Sequence, residues 1–207
     1  MFLRALFAGS IALLLGGCVG WAAESRLIPA SERDPVGLVG TYALDGGNAF
    51  LLSPGEDGFV RLTDPADDNP PIDIAFDMLR EEQPEPSFFA AEANRGEDTA
   101  PSAPGRSYLV EVPIEGEEGK TVFAYAIVRI DGDQPAASFK QFTVLCSKAA
   151  QALAARKEGE VCIFDNYASL RAAAMDALAW QDEARMTVEG NIFNLRGATD
   201  VLESEGF

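Results

Sequence analysis

Apolar and polar residues alternate with a period of two along much of this chain, the pattern of strands that bury one face. Leu38, Gly40, Tyr42 and Leu44 fall on one parity, which predicts a strand from Leu38 to Leu44. Asp45-Gly46-Gly47-Asn48 supplies turn residues, Ala49 to Ser53 reads as a second strand, and Pro54-Gly55-Glu56-Asp57-Gly58 turns the chain again into Phe59 to Thr63. Together these segments predict a small antiparallel meander. In Ile72 to Leu79, the residues Ile72, Ile74, Phe76 and Met78 alternate with Asp73, Ala75 and Asp77. The expectation there is one buried and one solvated face. Phe88 to Ala93 reads as a further short strand, followed by a long loop over Asn94 to Gly105. Tyr108 to Pro113, Thr121 to Ile130 and Ala137 to Leu145 are strong strands linked by the turn segments 115–119 and 131–134, which implies hairpins. Thr121 to Ile130 is largely apolar on both faces, with Val122, Ala124, Ala126 and Val128 against Phe123, Tyr125 and Ile127. A strand of that kind is covered on both sides, so another element must pack on its second face.

The period then changes. Ser147 can cap a helix running through Lys157 and ended by Gly159, Val161 to Phe164 is a short extended piece, and Asp165 or Asn166 can cap a second helix to about Glu183. Tyr167, Leu170, Ala174, Ala177, Leu178 and Gln181 fall largely on one face of it, and Trp180 is expected at the edge of the core. Met186 to Leu195 returns as one or two strands interrupted at Gly190-Asn191, and Thr199 can cap a last short helix. Many strands, then helices, then a strand predict an α+β fold. Its largely antiparallel sheet would carry the C-terminal helices on one face, as a single domain over residues 36–207. The competing architecture is a closed, lipocalin-like barrel, since Gly40-Thr41-Tyr42 resembles the opening of lipocalin-type chains.

The leading segment follows a different rule. Arg4 is its only charge, an apolar run extends from Ala5 to Leu15, and small residues close it. This describes a secretory signal, and the run is shorter than the roughly 20 apolar residues that span a bilayer. Leu15-Gly16-Gly17-Cys18 resembles the lipobox of bacterial lipoproteins. The resemblance covers residues 1–18 only. It implies cleavage of residues 1–17, lipidation of Cys18 on sulfur and acylation of its new amino group. Two or more acyl chains hold a protein firmly where one binds marginally, at roughly 0.8 kcal/mol per buried methylene. Val19 stands where the family carries Asp for inner-membrane retention, so the resemblance implies an outer-membrane protein facing the periplasm of a Gram-negative host. Val19 to Pro35 reads as a tether between anchor and domain, with Trp21 either resting among lipid headgroups or lying in an unstructured spacer.

Composition narrows the chemistry. The chain has 33 acidic and 16 basic residues and a formal net charge of −17. That charge disfavours nucleic acid and anionic surfaces. It fits a basic or cationic partner or, since the acids are scattered along the whole chain, a solvated acidic surface, which is the expectation. Histidine is absent, which removes Ser-His-Asp and Cys-His catalysis and the commonest zinc ligand. Of three cysteines, Cys18 goes to the anchor, and Cys146 and Cys162 remain as an even pair in an exported chain, which predicts a disulfide. Asp64, Asp67 and Asp68 lack the spacing and glycine of a calcium loop. Asp73 and Asp77 lie about 13 Å apart on a strand, too far for either glycosidase geometry. No phosphate loop or metal motif is present, and no cofactor or metal ligand set is expected.

Three functions fit this reading. The first is a lipid-anchored envelope protein with a non-enzymatic interaction or structural role, its partners the membrane and an envelope protein. The second is a binding module for a small apolar ligand, suggested by Phe123, Tyr125, Phe139 and Phe142, which core packing explains equally well. The third is a carboxylate-dependent cell-wall hydrolase, for which Glu111 and Asp165 are the visible acids.

Overall fold

A computed structural model describes residues 20–44, 49–66, 69–81, 105–116, 119–131, 136, 138–142, 144–183 and 191–195. Seven strands follow one another as antiparallel neighbours. They are β2 (Gly40–Leu44), β3 (Ala49–Pro54), β4 (Val60–Thr63), β5 (Ile72–Glu81), β6 (Arg106–Glu115), β7 (Thr121–Asp131) and β8 (Ser138–Phe142). The last strand among the described residues, β11 (Asn191–Leu195), pairs with β8 on one side, through Phe193 and Phe139, and with β2 on the other, through Leu195 and Tyr42. The result is a closed, eight-stranded antiparallel barrel.

The α+β expectation is therefore corrected: the sheet closes on itself, which is the architecture of the competing expectation. The reason lies in β11. Periodicity cannot tell where a final strand pairs, and this one bridges the first and last strands of the meander, so the sheet closes into a barrel and the helix packs on the outside of its wall rather than on one face of an open sheet.

Closure sorts side chains by parity. Tyr42, Phe50, Leu52, Val60, Leu62, Ile74, Phe76, Tyr108, Val110, Val112, Ala124, Ala126, Val128, Ile130 and Phe139 form one buried cluster inside the barrel. Each fully buried large apolar side chain contributes roughly 1.5–3 kcal/mol, so this interior is the main source of stability. Within it the Tyr42 hydroxyl donates to the Ala136 carbonyl at 2.8 Å, which satisfies the one polar atom it brings.

Strands β5, β6 and β7 also bury their outer face, as the two-sided pattern of β7 requires. Ala75, Leu79, Leu109, Tyr125 and Ile127 pack there under Trp21, Ile28, Val144, Phe164 and the helix α2 (Tyr167–Glu183). Leu170, Ala173, Ala174 and Leu178 are the residues α2 contributes. Asn166 caps this helix, its side-chain oxygen accepting from the Ser169 amide at 2.9 Å. The outer layer corrects the expected solvated face of β5, because Asp77 is only 3% exposed. Trp180 is corrected as well: it is 56% exposed on α2, not at the core edge.

The helix capped by Ser147 is α1 (Lys148–Leu153), with the hydroxyl accepting from the Ala150 amide. It ends at Ala154, short of the expected Lys157. Beyond it, β9 (Arg156–Glu158) and β10 (Val161–Ile163) form a hairpin, and Gly159, at φ 58°, turns that hairpin. The expected strand over 88–93, the loop over 94–105 except its last residue, the segment Met186–Gly190 and the helix at Thr199 lie outside the described residues.

The largest departure is the tether. Residues from Gly20 onward are part of the fold. Strand β1 (Trp21–Ala23) pairs antiparallel with β7, at Ala22 with Ala124, and parallel with β10, at Trp21 with Cys162. It occupies the half of β7 that β8 leaves free, since β8 pairs only with Ile127 to Asp131. The chain then crosses the outer face as a strap. Beyond Ile74, where β4 no longer pairs with β5, the Asp34 amide donates to the Phe76 carbonyl at 2.8 Å. Val36 and Leu38 then join the inner cluster. The physical reason is plain in hindsight: Trp21, Ala22, Ala23, Leu27, Ile28, Val36 and Leu38 carry too much apolar surface for a solvated spacer.

Candidate functional site

Two buried carboxylates and one disulfide organise the outer face, and each can be judged for chemistry from its contacts. Glu111 lies at an outward position of β6 between Leu109 and Pro113 and is fully buried. Arg26 Nη1 donates to its Oε1 at 3.0 Å. Its Oε2 accepts from the Leu27 amide at 2.7 Å, the Ile28 amide at 3.1 Å and the Tyr125 hydroxyl at 3.0 Å. A buried carboxylate is tolerated only when paired and hydrogen-bonded, and this one has both. Arg26 is held in turn. Its Nη2 donates to the Asp73 carbonyl at 3.0 Å, and its guanidinium lies 4.7 Å from the Phe59 ring centre and 5.0 Å from that of Phe123. The cluster thus fastens the strap to three strands and leaves no carboxylate oxygen open to a substrate.

Asp77 does the same for α2. Its Oδ2 accepts from the Tyr167 hydroxyl at 2.8 Å and from Arg171 Nε at 3.3 Å. Burial pushes its carboxyl above the usual carboxylate range, with the Tyr167 hydrogen bond and the Arg171 charge opposing. A raised folded-state value means that its contribution to stability is full at low pH and is lost as pH rises through that value. Asp73 is ion-paired with Arg61 at 3.0 Å, both side chains partly exposed, and contributes little to stability. Asp165, the other acid open to a hydrolase role, is exposed in the loop before α2 and accepts from Asn166 at 2.9 Å. Glu111 and Asp165 therefore sit in unlike surroundings, one sealed under the strap and one in water. Asp64 accepts from the Ala66 amide at 2.9 Å, and Asp67 and Asp68 lie outside the described residues. Among the described residues no cluster of acids, cysteines and histidines could hold a metal ion. No helix there is long and apolar enough to cross a membrane.

The aromatic set that suggested ligand binding divides. Phe139 points into the barrel, whereas Phe123, Tyr125 and Phe142 belong to the outer layer. All four tyrosines of the chain have phenols held above their ordinary value, in each case chiefly by burial. For Tyr125 the Glu111 charge adds to the effect, and for Tyr167 the Asp77 hydrogen bond does. A raised value stabilises the fold below the unfolded pKa of about 10 and is lost as pH rises through the folded value. Phenolate absorbance followed against pH should therefore stay absent past pH ~10 in the native protein and appear together with unfolding. In denaturant, all four should titrate at the ordinary value. Phenolate signal near that value with the fold intact would contradict this placement.

The start of the described chain, at Gly20, is the third feature. Cys146 and Cys162 form a disulfide, their Cα atoms 5.2 Å apart. It ties the segment after β8 to β10. Trp21, 2% exposed, lies beside the bridge, with its Nε1 donating to the Leu145 carbonyl at 2.9 Å and its ring edge-on to Phe164 at 5.7 Å. Trp21 is thus neither a headgroup anchor nor part of a spacer. The Cys162 amide donates to the Gly20 carbonyl at 2.8 Å. Gly20 is required there: a Cβ would lie 1.9 Å from the Val144 carbonyl oxygen. Cys18 itself lies outside the described residues.

Sequence reasoning missed Arg26 and the strap. The available signal was Glu111, an acid on a strand whose neighbours Leu109 and Val110 are apolar on both parities, which calls for a buried cation nearby. Comparison with protein-family models, with curated proteins and with solved structures finds no match to this chain.

Proposed function

We propose that this is a lipid-anchored protein of the bacterial envelope, held at Cys18 in the outer membrane and facing the periplasm, with a non-enzymatic interaction or structural role. The observation that carries the reading is the junction. Leu15-Gly16-Gly17-Cys18 marks a cut before Cys18, and ordered structure is already in place at Gly20 and Trp21, so cleavage leaves every described contact intact. A disulfide in the same domain suits an exported chain. The non-enzymatic part rests on Glu111, whose oxygens are committed to four donors from the strap and β7. The closed barrel is an architecture that can hold a small apolar ligand. However, three of the four aromatics that motivated that reading face outward.

Metabolic labelling with a tagged fatty acid tests the anchor. The wild-type chain should take up label and Cys18→Ser should not; equal labelling of the two would contradict the proposal. Membrane fractionation should place the protein in the outer membrane, and recovery in the inner membrane alone would overturn the localisation. Affinity capture of the tethered protein from envelope extracts then looks for the partner.

A further inference from the structure

We infer that the surface around Leu145 rests directly on the headgroups of the bilayer, so that the barrel is held on its side in a fixed orientation rather than on a flexible stalk. This rests on the lipid-anchor reading and adds a docking surface to it. Two residues of chain reach at most about 7.6 Å between their end Cα atoms, so Gly20 lies within that distance of Cys18. The headgroup layer of one leaflet is about 5–8 Å thick, the difference between whole and hydrocarbon thickness divided over two faces. A lipidated Cys18 at the top of the hydrocarbon therefore leaves enough chain to cross the headgroups and none to spare.

What lies at Gly20 is rigid. Its carbonyl accepts from the Cys162 amide, the Val144 carbonyl leaves no room for a side chain, Trp21 is buried beside it, and the Cys146–Cys162 bridge closes the knot. Leu145 stands at this point with its backbone against Gly20 and its side chain 70% exposed. An isolated exposed leucine means little by itself. This one sits where the anchor emerges.

Charge agrees with the placement. In a chain of net charge −17, no Asp or Glu occurs from Gln134 to Lys157, the stretch that contains Leu145. Lys148 follows Cys146 closely, and Lys157 is the register partner of Cys162. Arg156, the other cation here, is engaged by Glu24 at 2.6 Å and Glu158 at 2.7 Å. Lys148, Arg156 and Lys157 thus stand against Glu24, Glu158 and Glu160 around the junction, so the strong negative charge of the chain as a whole is not carried by this face.

The test uses the full chain, lipidated in a bacterial host and reconstituted in phosphatidylethanolamine–phosphatidylglycerol vesicles whose acyl chains are brominated near the headgroup. Leu145→Trp and Leu51→Trp are compared in a Trp180→Phe background, the buried Trp21 being common to both. Leu51 is partly exposed on β3, which lies four strands from β7 in the eight-stranded closure and so on the opposite side of the barrel. The indole at position 145 should be blue-shifted and lose most of its emission to bromolipid, while the one at position 51 keeps its emission. Equal emission at both positions, with the protein floating with the vesicles and carrying acyl label, would overturn the docking and leave the anchor standing. No label and no flotation would overturn both.

Discussion

Replacing Glu111 with alanine is expected to destabilise the protein by about 3–5 kcal/mol, the usual cost of removing one partner from a buried, hydrogen-bonded ion pair. The loss is large because four donors depend on that carboxylate. The Leu27 and Ile28 amides and the Tyr125 hydroxyl would be left without an acceptor under the strap, and each unsatisfied buried group costs about 1–3 kcal/mol. Arg26 is partly relieved, since its side chain is 30% exposed and keeps the Asp73 carbonyl. Glu111→Gln should fall between wild type and alanine: it keeps one acceptor oxygen but turns an amide NH2, itself a donor, towards donors. Arg26→Ala should cost less than Glu111→Ala, because the remaining carboxylate keeps three donors. Urea denaturation at constant slope measures the series. A change within about 0.5 kcal/mol for Glu111→Ala, the size typical of a surface substitution, would contradict the buried latch.

The second large effect is at the disulfide. Replacing both Cys146 and Cys162 with alanine should cost about 3 kcal/mol, the chain-entropy value for a loop of this size. The bridge spans a sequence separation of 16 and encloses α1 and β9. At 2–4 °C per kcal/mol for a domain of this size, the melting temperature should fall by roughly 6–12 °C. Removal also loosens the wall against which Trp21 packs, so the Trp21 emission should shift to the red before the barrel unfolds. The double substitution avoids a lone reactive thiol. An unchanged melting temperature, or full alkylation of both thiols after denaturation without reductant, would contradict the bridge.

The sequence made the strands legible and hid how they close. Alternation in Ile72 to Leu79 and in Tyr108 to Pro113 located β5 and β6 because a half-buried strand must alternate. The two-sided pattern of β7 also required a second layer, which α2 and the strap supply. Closure entered only as the competing lipocalin-like barrel, since β11 pairs with β2 at the other end of the domain as well as with β8, and no local pattern encodes such partners. The strap was misread because its polar residues, Glu24, Ser25, Arg26, Ser31, Glu32 and Arg33, resemble a linker when counted. Its apolar residues acquire meaning only against the outer face they cover. Of the buried acids, Asp77 looked solvated because parity places it opposite Phe76, and parity cannot report that a helix arrives carrying Tyr167 and Arg171. The disulfide was legible from the even pair of cysteines left once Cys18 is assigned to the lipobox resemblance.

Residues 20 to 36 belong to the folded domain and not to a tether. Native-state amide hydrogen exchange on the purified protein tests this. The Leu27 and Ile28 amides bonded to Glu111, the Asp34 amide bonded to Phe76 and the Cys162 amide bonded to Gly20 should exchange as slowly as those of β6 and β7. Exchange of Leu27, Ile28 and Asp34 at the rate of a free peptide, with β6 and β7 protected, would show a tether and contradict the account.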